Sequence, residues 1–223
     1  PKTKTVAFAI PALLLTAAAI IAGPLNPPAG PPTSTYKTLT EVEPRIAINA
    51  TNTPGDADSL FRITAPGSYY LTGNITGVAT KSGIEIASGD VTIDLCGFEV
   101  LGVSGSLDGI NTSIADLRNV PILNGSVRAW GQDGIDLVTF SAIAGRLSGV
   151  TSADNTAVGI RSGRGYVMSH CTASFNGTDG IATASGTAIS HCTSFSNTGV
   201  GFTLNFGSHI ASCAARLNGT DGI

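Results

Sequence analysis

Charge is scarce in this sequence. Only 12% of its 223 residues are Asp, Glu, Lys or Arg, about half the ~25% usual for soluble domains. That shortage argues against a helical bundle, whose exposed faces need Glu, Lys and Arg. Lysine is rarer still: Lys2, Lys4, Lys37 and Lys81, with none afterwards, and the arginines are scattered. With a net charge of −3 there is no basic patch to meet a phosphate backbone, so nucleic acid is excluded as a partner. Aromatics are few, at 6%. No C-x-x-C pair occurs among the four cysteines, which speaks against a zinc or iron–sulfur centre. No stretch sustains the 3.6-residue period of an amphipathic helix.

What is abundant is glycine, 28 residues, within a chain that is 42% hydrophobic. Many turns, small side chains and narrow apolar layers are expected. Disorder is not, because Val, Ile and Leu are plentiful and the net charge is small.

The N-terminus reads as an export signal. Lys2 and Lys4 precede the apolar run Val6 to Ala22, and Ala22 is a small residue suited to cleavage. Pro11 and a length of 17 residues make the run a poor membrane span, though an uncleaved anchor is the alternative. Gly23 to Thr35 holds five prolines in thirteen residues, an extended spacer. The expected organisation is therefore a signal peptide or anchor (1–22), a Pro-rich spacer (23–44), an N-terminal cap with the first strands (45–78) and repeats (79–223). The first residue is Pro and the last repeat stops short, as in a piece of a longer reading frame.

The repeats begin at Gly83. A glycine followed by an apolar residue recurs at Gly83, Gly109, Gly134, Gly159, Gly180, Gly201 and Gly222, at spacings of 26, 25, 25, 21, 21 and 21. Cys171, Cys192 and Cys213 share the 21-residue period. So do Asn155, Asn176, Asn197 and Asn218, and so do Met168, Ile189 and Ile210. A unit this short cannot bury its own apolar face and must stack on its neighbours. Three short strands and three bends per unit give a parallel β-solenoid with coils ~4.8 Å apart. The cysteines should then form an inward column of free thiols, with a bridge between coils as the alternative. The asparagines should stand at a bend, at φ > 0, with amides bonded along the stack.

The segment Ser82 to Gly102, "SGIEIASGDVTIDLCGFEVLG", followed by these Cys and Asn coils, resembles the right-handed parallel β-helix repeat proteins of the pectin-lyase-like superfamily. The resemblance covers Arg45 to Ile223. It implies an all-β, right-handed parallel β-helix. It does not name a reaction, since that group spans lyases, hydrolases, esterases, tailspikes, adhesins and repeat proteins with no known activity.

The residue after each glycine–apolar pair should point outward. That column reads Glu85, Asn111, Asp136, Arg161, Ala182, Thr203. Glu85, Asp136 and Arg161 are the candidate catalytic residues. The two carboxylates would lie two coils, ~9.6 Å, apart, near the upper limit for an inverting pair. A lyase would use Arg161 as base with acidic groups holding Ca²⁺; otherwise no cofactor is expected. The plainer alternative is a solvated face with one Asp–Arg pair. His170 and His191, one repeat apart, read as tight bends, with a metal pair as the alternative. "NGTDG" at Asn176 and Asn218 reads as a turn. Six N-x-S/T sequons occur, and none is predicted to be glycosylated. Trp130 aligns with the asparagine column and should stand at an exposed bend, where it could stack on a sugar.

The functional expectation is an exported, non-catalytic scaffold, secreted or on the surface of a bacterial cell envelope. It would bind polysaccharide or cell-surface glycan and touch membrane only through its N-terminal segment. The alternative is a polysaccharide lyase or glycoside hydrolase acting on acidic polysaccharide.

Overall fold

The computed structural model describes residues 42–138 and 142–223. The expected signal (1–22) and nearly all of the spacer (23–44) lie outside the described residues. From Glu43 onward the described chain is built from short parallel strands, and it winds as a β-solenoid.

Each coil contributes one strand to a seven-stranded sheet: Ser59–Ile63, Ser82–Ile86, Ile110–Thr112, Ile135–Asp136, Ile160–Ser162, Ile181–Thr183 and Phe202–Thr203. Every neighbouring pair in it is parallel. The remaining strands form a thirteen-stranded sheet. It has two stacks that merge through the long strands Ile122–Arg128 and Arg146–Ala153. In other coils a bend splits the same stretch, as in Val167–Ser169 and Thr172–Ser174. Three strand positions per coil result.

The core is a set of single-file apolar columns. Ile84, Ile110, Ile135, Ile160, Ile181 and Phe202 stack in register and are buried. Leu147, Met168, Ile189 and Ile210 form the third column read from the repeats. Burying one such side chain contributes about 1.5–3 kcal/mol, so each coil depends on the coils above and below it.

The repeated glycine has a steric cause. A Cβ on Gly159 would stand 2.5 Å from Asn176 Nδ2, and one on Gly180 would stand 2.0 Å from Ser194 Oγ. The asparagine columns therefore require the glycine columns. Asn155 Nδ2 donates to Asn176 Oδ1 (2.9 Å), Asn176 to Asn197 (2.8 Å) and Asn197 to Asn218 (3.0 Å). Each of those oxygens also accepts the backbone N–H of the preceding asparagine. The second amide hydrogens go to Ser152, Ala173 and Ser194. The amides do bond along the stack, but the asparagines themselves are not left-handed. The residues before them take φ > 0, namely Asp154, Phe175, Ser196 and Leu217 at 53–57°. The turn is made one residue early, which points the amides inward, where Asn155, Asn176 and Asn197 are buried.

Trp130 corrects the sequence reading more sharply. It occupies the asparagine position of its coil, and its N–H donates to Asn155 Oδ1 at 3.1 Å. It is fully buried, not exposed. Its indole Nε1 donates to Val100 O (2.9 Å). Added Cβ atoms at Gly77, Gly83 and Gly109 would meet the ring at 3.0, 2.9 and 2.9 Å. One indole thus fills the space that three glycines leave.

Candidate functional site

The polar row on the outer face of the seven-stranded sheet has the register read from the repeats. Glu85 aligns with Asn111, Asn111 with Asp136, Asp136 with Arg161, Arg161 with Ala182 and Ala182 with Thr203. The row begins one coil earlier than expected, because Arg62 aligns with Glu85. No glycine precedes the Phe61–Arg62 pair, so the repeat pattern did not mark it.

The row is not a uniformly solvated face. Glu85 and Asp136 are 5% and 6% exposed, and Asn111 is half-buried with no partner for Oδ1. The side chains of Arg62 and Arg161 remain 36% and 42% exposed. The result is a sunken polar floor with an open arginine at either end.

Two of the three candidate residues have charged partners outside the set. Glu85 Oε1 is paired with Arg62 Nε at 2.7 Å. Arg161 Nε lies 2.8 Å from Asp133 Oδ2, an ion pair by distance in which the N–H is not aimed at the oxygen. Asp136 Oδ1 accepts the Val138 N–H at 2.9 Å.

Asp133 belongs to a second column that flanks the first: the residue before the coil glycine. Its members cap the next coil. Asp108 Oδ1 accepts the Asp133 N–H (3.0 Å), Asp133 Oδ1 the Val158 N–H (2.7 Å) and Asp179 Oδ1 the Val200 N–H (2.9 Å). Two of them use the other oxygen to reach the row residue of the next coil. Asp133 reaches Arg161, and Asp179 reaches Thr203 Oγ1 (2.8 Å). Asp108 holds the same position one coil earlier, where the row residue is Asp136. A carboxyl group there meets a carboxylate instead of a donor. Burial, with Asp133 and Asp136 adding repulsion, pushes the Asp108 carboxyl up to about 6. Burial raises Asp133 as well, and Arg161 opposes that shift.

A cation for a lyase would need oxygen ligands. Among the described residues, Asp56, Asp58 and Glu85 bring carboxylate oxygens within 4.8 Å of one another. Arg62 already sits on two of these groups, at 2.7 Å from Glu85 and 3.4 Å from Asp56. Asp56 Oδ1 accepts the N–H and hydroxyl of Ser59. These residues fit Ca²⁺ poorly, since the ion would have to displace a guanidinium.

The histidine positions are left-handed bends, with φ of 54° at His170 and 53° at His191. Their exposed rings stack at 5.2 Å and 6° between planes. Parallel rings aim their nitrogen lone pairs in parallel directions, so the pair does not converge on a metal. Cys171, Cys192 and Cys213 form the expected column of free thiols. Cys96, outside that column, is exposed, at φ 51°. Its coil carries two extra residues, Leu95 takes the inward place, and Cys96-Gly97 form a turn closed by Phe98 N–H to Leu95 O (2.8 Å).

No protein-family model matches the sequence, and no curated protein does. Among solved structures, the crystal structure of the Dettilon tailspike protein is similar, at 15% identity and a TM-score of 0.44. The match covers 70% of this chain and 38% of that one. What the coordinates establish by themselves is the architecture: the described chain is a parallel β-helix built of stacked coils.

Proposed function

We propose that the protein is an exported β-solenoid scaffold that binds a neutral glycan along the floor Glu85–Asn111–Asp136, between Arg62 and Arg161. Export rests on the basic and apolar N-terminal run. The observation that carries glycan binding is the row itself. Five polar side chains stand in register, one per coil, at ~4.8 Å. That rise is close to the length of one sugar in an extended chain, and the half-buried Asn111 sits at the centre of the row. Among the described residues, the carboxyl groups of Glu85, Asp136, Asp108 and Asp133 stand along this row with the arginines Arg62 and Arg161. This balance favours a neutral polymer over the acidic one that the lyase alternative assumed. The ion pairs at Glu85 and Arg161 support binding without turnover, because both groups are already engaged.

One observation favours a second reading, a glycoside hydrolase. Asp108 is held near a pKa of about 6 beside Asp136, and a carboxyl pair with separated proton affinities is how acid and base roles are divided. A panel of neutral and acidic polysaccharides, tested for retention and for new reducing or unsaturated ends with and without Ca²⁺, separates the readings. Binding of a neutral glycan that falls at least tenfold in Asn111→Ala and in Asp136→Ala/Arg161→Ala, without products, supports the scaffold. Products that vanish in Asp108→Asn establish the hydrolase. Retention indifferent to all these variants overturns both.

A further inference from the structure

The thiol column has a geometry that packing alone does not require. Cys171, Cys192 and Cys213 occupy one position in three successive coils: Thr172, Thr193 and Ala214, the residues that follow them, pair in register. All three have the same orientation, since each S–H donates to the backbone carbonyl two residues earlier: Ser169 (3.4 Å), Ser190 (3.3 Å) and Ala211 (3.3 Å). Identical side chains in identical conformations repeat at the coil rise, so successive sulfurs are ~4.8 Å apart. A disulfide needs ~2.05 Å between sulfurs and ~3.8 Å between Cβ atoms. The backbone pitch holds the thiols too far apart to bridge.

That same distance suits another partner. Zinc–thiolate bonds are ~2.3 Å long, and two metal–sulfur bonds of that order on opposite sides of one ion span a gap of this size. A second observation concerns the charge such a site would carry. The Cys171 N–H donates to Cys192 Sγ at 3.4 Å, and the Cys192 N–H donates to Cys213 Sγ at 3.3 Å. These N–H groups favour a negative sulfur at Cys192 and Cys213, but the adjacent Cys171 thiol and burial push Cys192 up and burial pushes Cys213 up, so both stay protonated thiols until a cation displaces the proton. We propose that adjacent thiols of this column bind a soft, two-coordinate monovalent cation of the Cu(I) class, one ion in a gap between coils. Two thiols and one M⁺ give an anionic S–M–S unit and release two protons to solvent. No electron is transferred. Thiolate softness selects such an ion over Ca²⁺ or Mg²⁺, and the parallel column lacks the four converging ligands of structural zinc. Cys192 is central because it borders both gaps. His170 and His191 precede the first two cysteines but are exposed at the bend, whereas Cys171 and Cys192 are buried.

The test uses the full chain titrated with Ag(I) as probe and with Cu(I) under reducing conditions. Readouts are thiolate-to-metal absorption in the ultraviolet, the ion–sulfur distance by X-ray absorption, and Tm. The expected result is a bound ion with two sulfur neighbours and a raised Tm in wild type and in Cys96→Ser. Cys192→Ser should abolish it, and Cys171→Ser should keep the gap between Cys192 and Cys213. Binding that follows the exposed Cys96 thiol, or no two-sulfur ion in a folded Cys96→Ser protein, overturns the proposal. If Cys192→Ser fails to fold, the two-sulfur signature in Cys96→Ser and in Cys171→Ser decides alone.

Discussion

The later coils and the earlier coils reach one cross-section by different means. From Asn155 to Asn218 each coil has 21 residues and repeats its neighbours: amide on amide, thiol on thiol, imidazole on imidazole. From Ser59 to Asp136 the coils are longer and hold together through unlike partners. Arg62 meets Glu85, Arg128 meets Glu99, and Trp130 lies against three glycines. Repetition lets one solution serve every coil, but it presents a uniform surface. Irregular coils need a separate solution each, and it is there that buried carboxylates, an unpartnered amide and a displaced acid pKa accumulate. The interruption of regularity marks most of the candidate glycan floor.

Removing Trp130 should break the comparison most. Trp130→Ala empties space shared by three coils and removes the indole bond to the Val100 carbonyl. A cost of about 4 kcal/mol is expected, read from denaturant unfolding. Asn176→Ala tests the repetitive half. It leaves the N–H and one amide hydrogen of Asn155 without an acceptor, and buried orphans cost ~1–3 kcal/mol each, so about 3 kcal/mol should be lost. A loss below about 1 kcal/mol would mean that apolar columns, not amides, hold these coils.

The smallest effect should come from Asp108→Asn, and it has the opposite sign. The folded pKa of about 6 lies above the ordinary 3.8. The folded state therefore binds this proton more tightly than the unfolded chain. The group's contribution is fully present below about 3.8 and is lost as pH rises through about 6. Asparagine still accepts the Asp133 N–H but carries no charge. The variant should be more stable than wild type at neutral pH, by at most about 3 kcal/mol, and equal to it in acid. Melting curves between about pH 4 and pH 7 would show a flatter profile, with the slope from Asp133 remaining.

Much of this was legible. The glycine–apolar repeat placed Glu85, Asn111, Asp136 and Arg161 in one row with the right neighbours, because register in a solenoid is fixed by counting. Burial was not legible, because it depends on what lies beside a position. The turn reading of "NGTDG" gives no sign that Asp133, at the equivalent position of its coil, reaches across to Arg161; only the fold shows it. Trp130 was aligned correctly but assigned to solvent. The available signal was the glycine at 77, 83 and 109 in coils that lack an asparagine at that position. Cys96 needed knowledge of a two-residue insertion that sends Leu95 inward in its place.

The asparagine column also has a polarity. In the strands, backbone N–H groups point alternately up and down the axis, so their dipoles largely cancel. The side-chain amides do not alternate. Asn155, Asn176 and Asn197 each donate toward the following coil and turn their oxygen toward the preceding one. Each amide carries about 3.5 D, and the moments add along the axis. The oxygen end of this internal array faces the Trp130 N–H. The interior of the solenoid is thus electrically directional along this column, with its negative pole toward the coils that hold Asp108, Asp133 and Asp136.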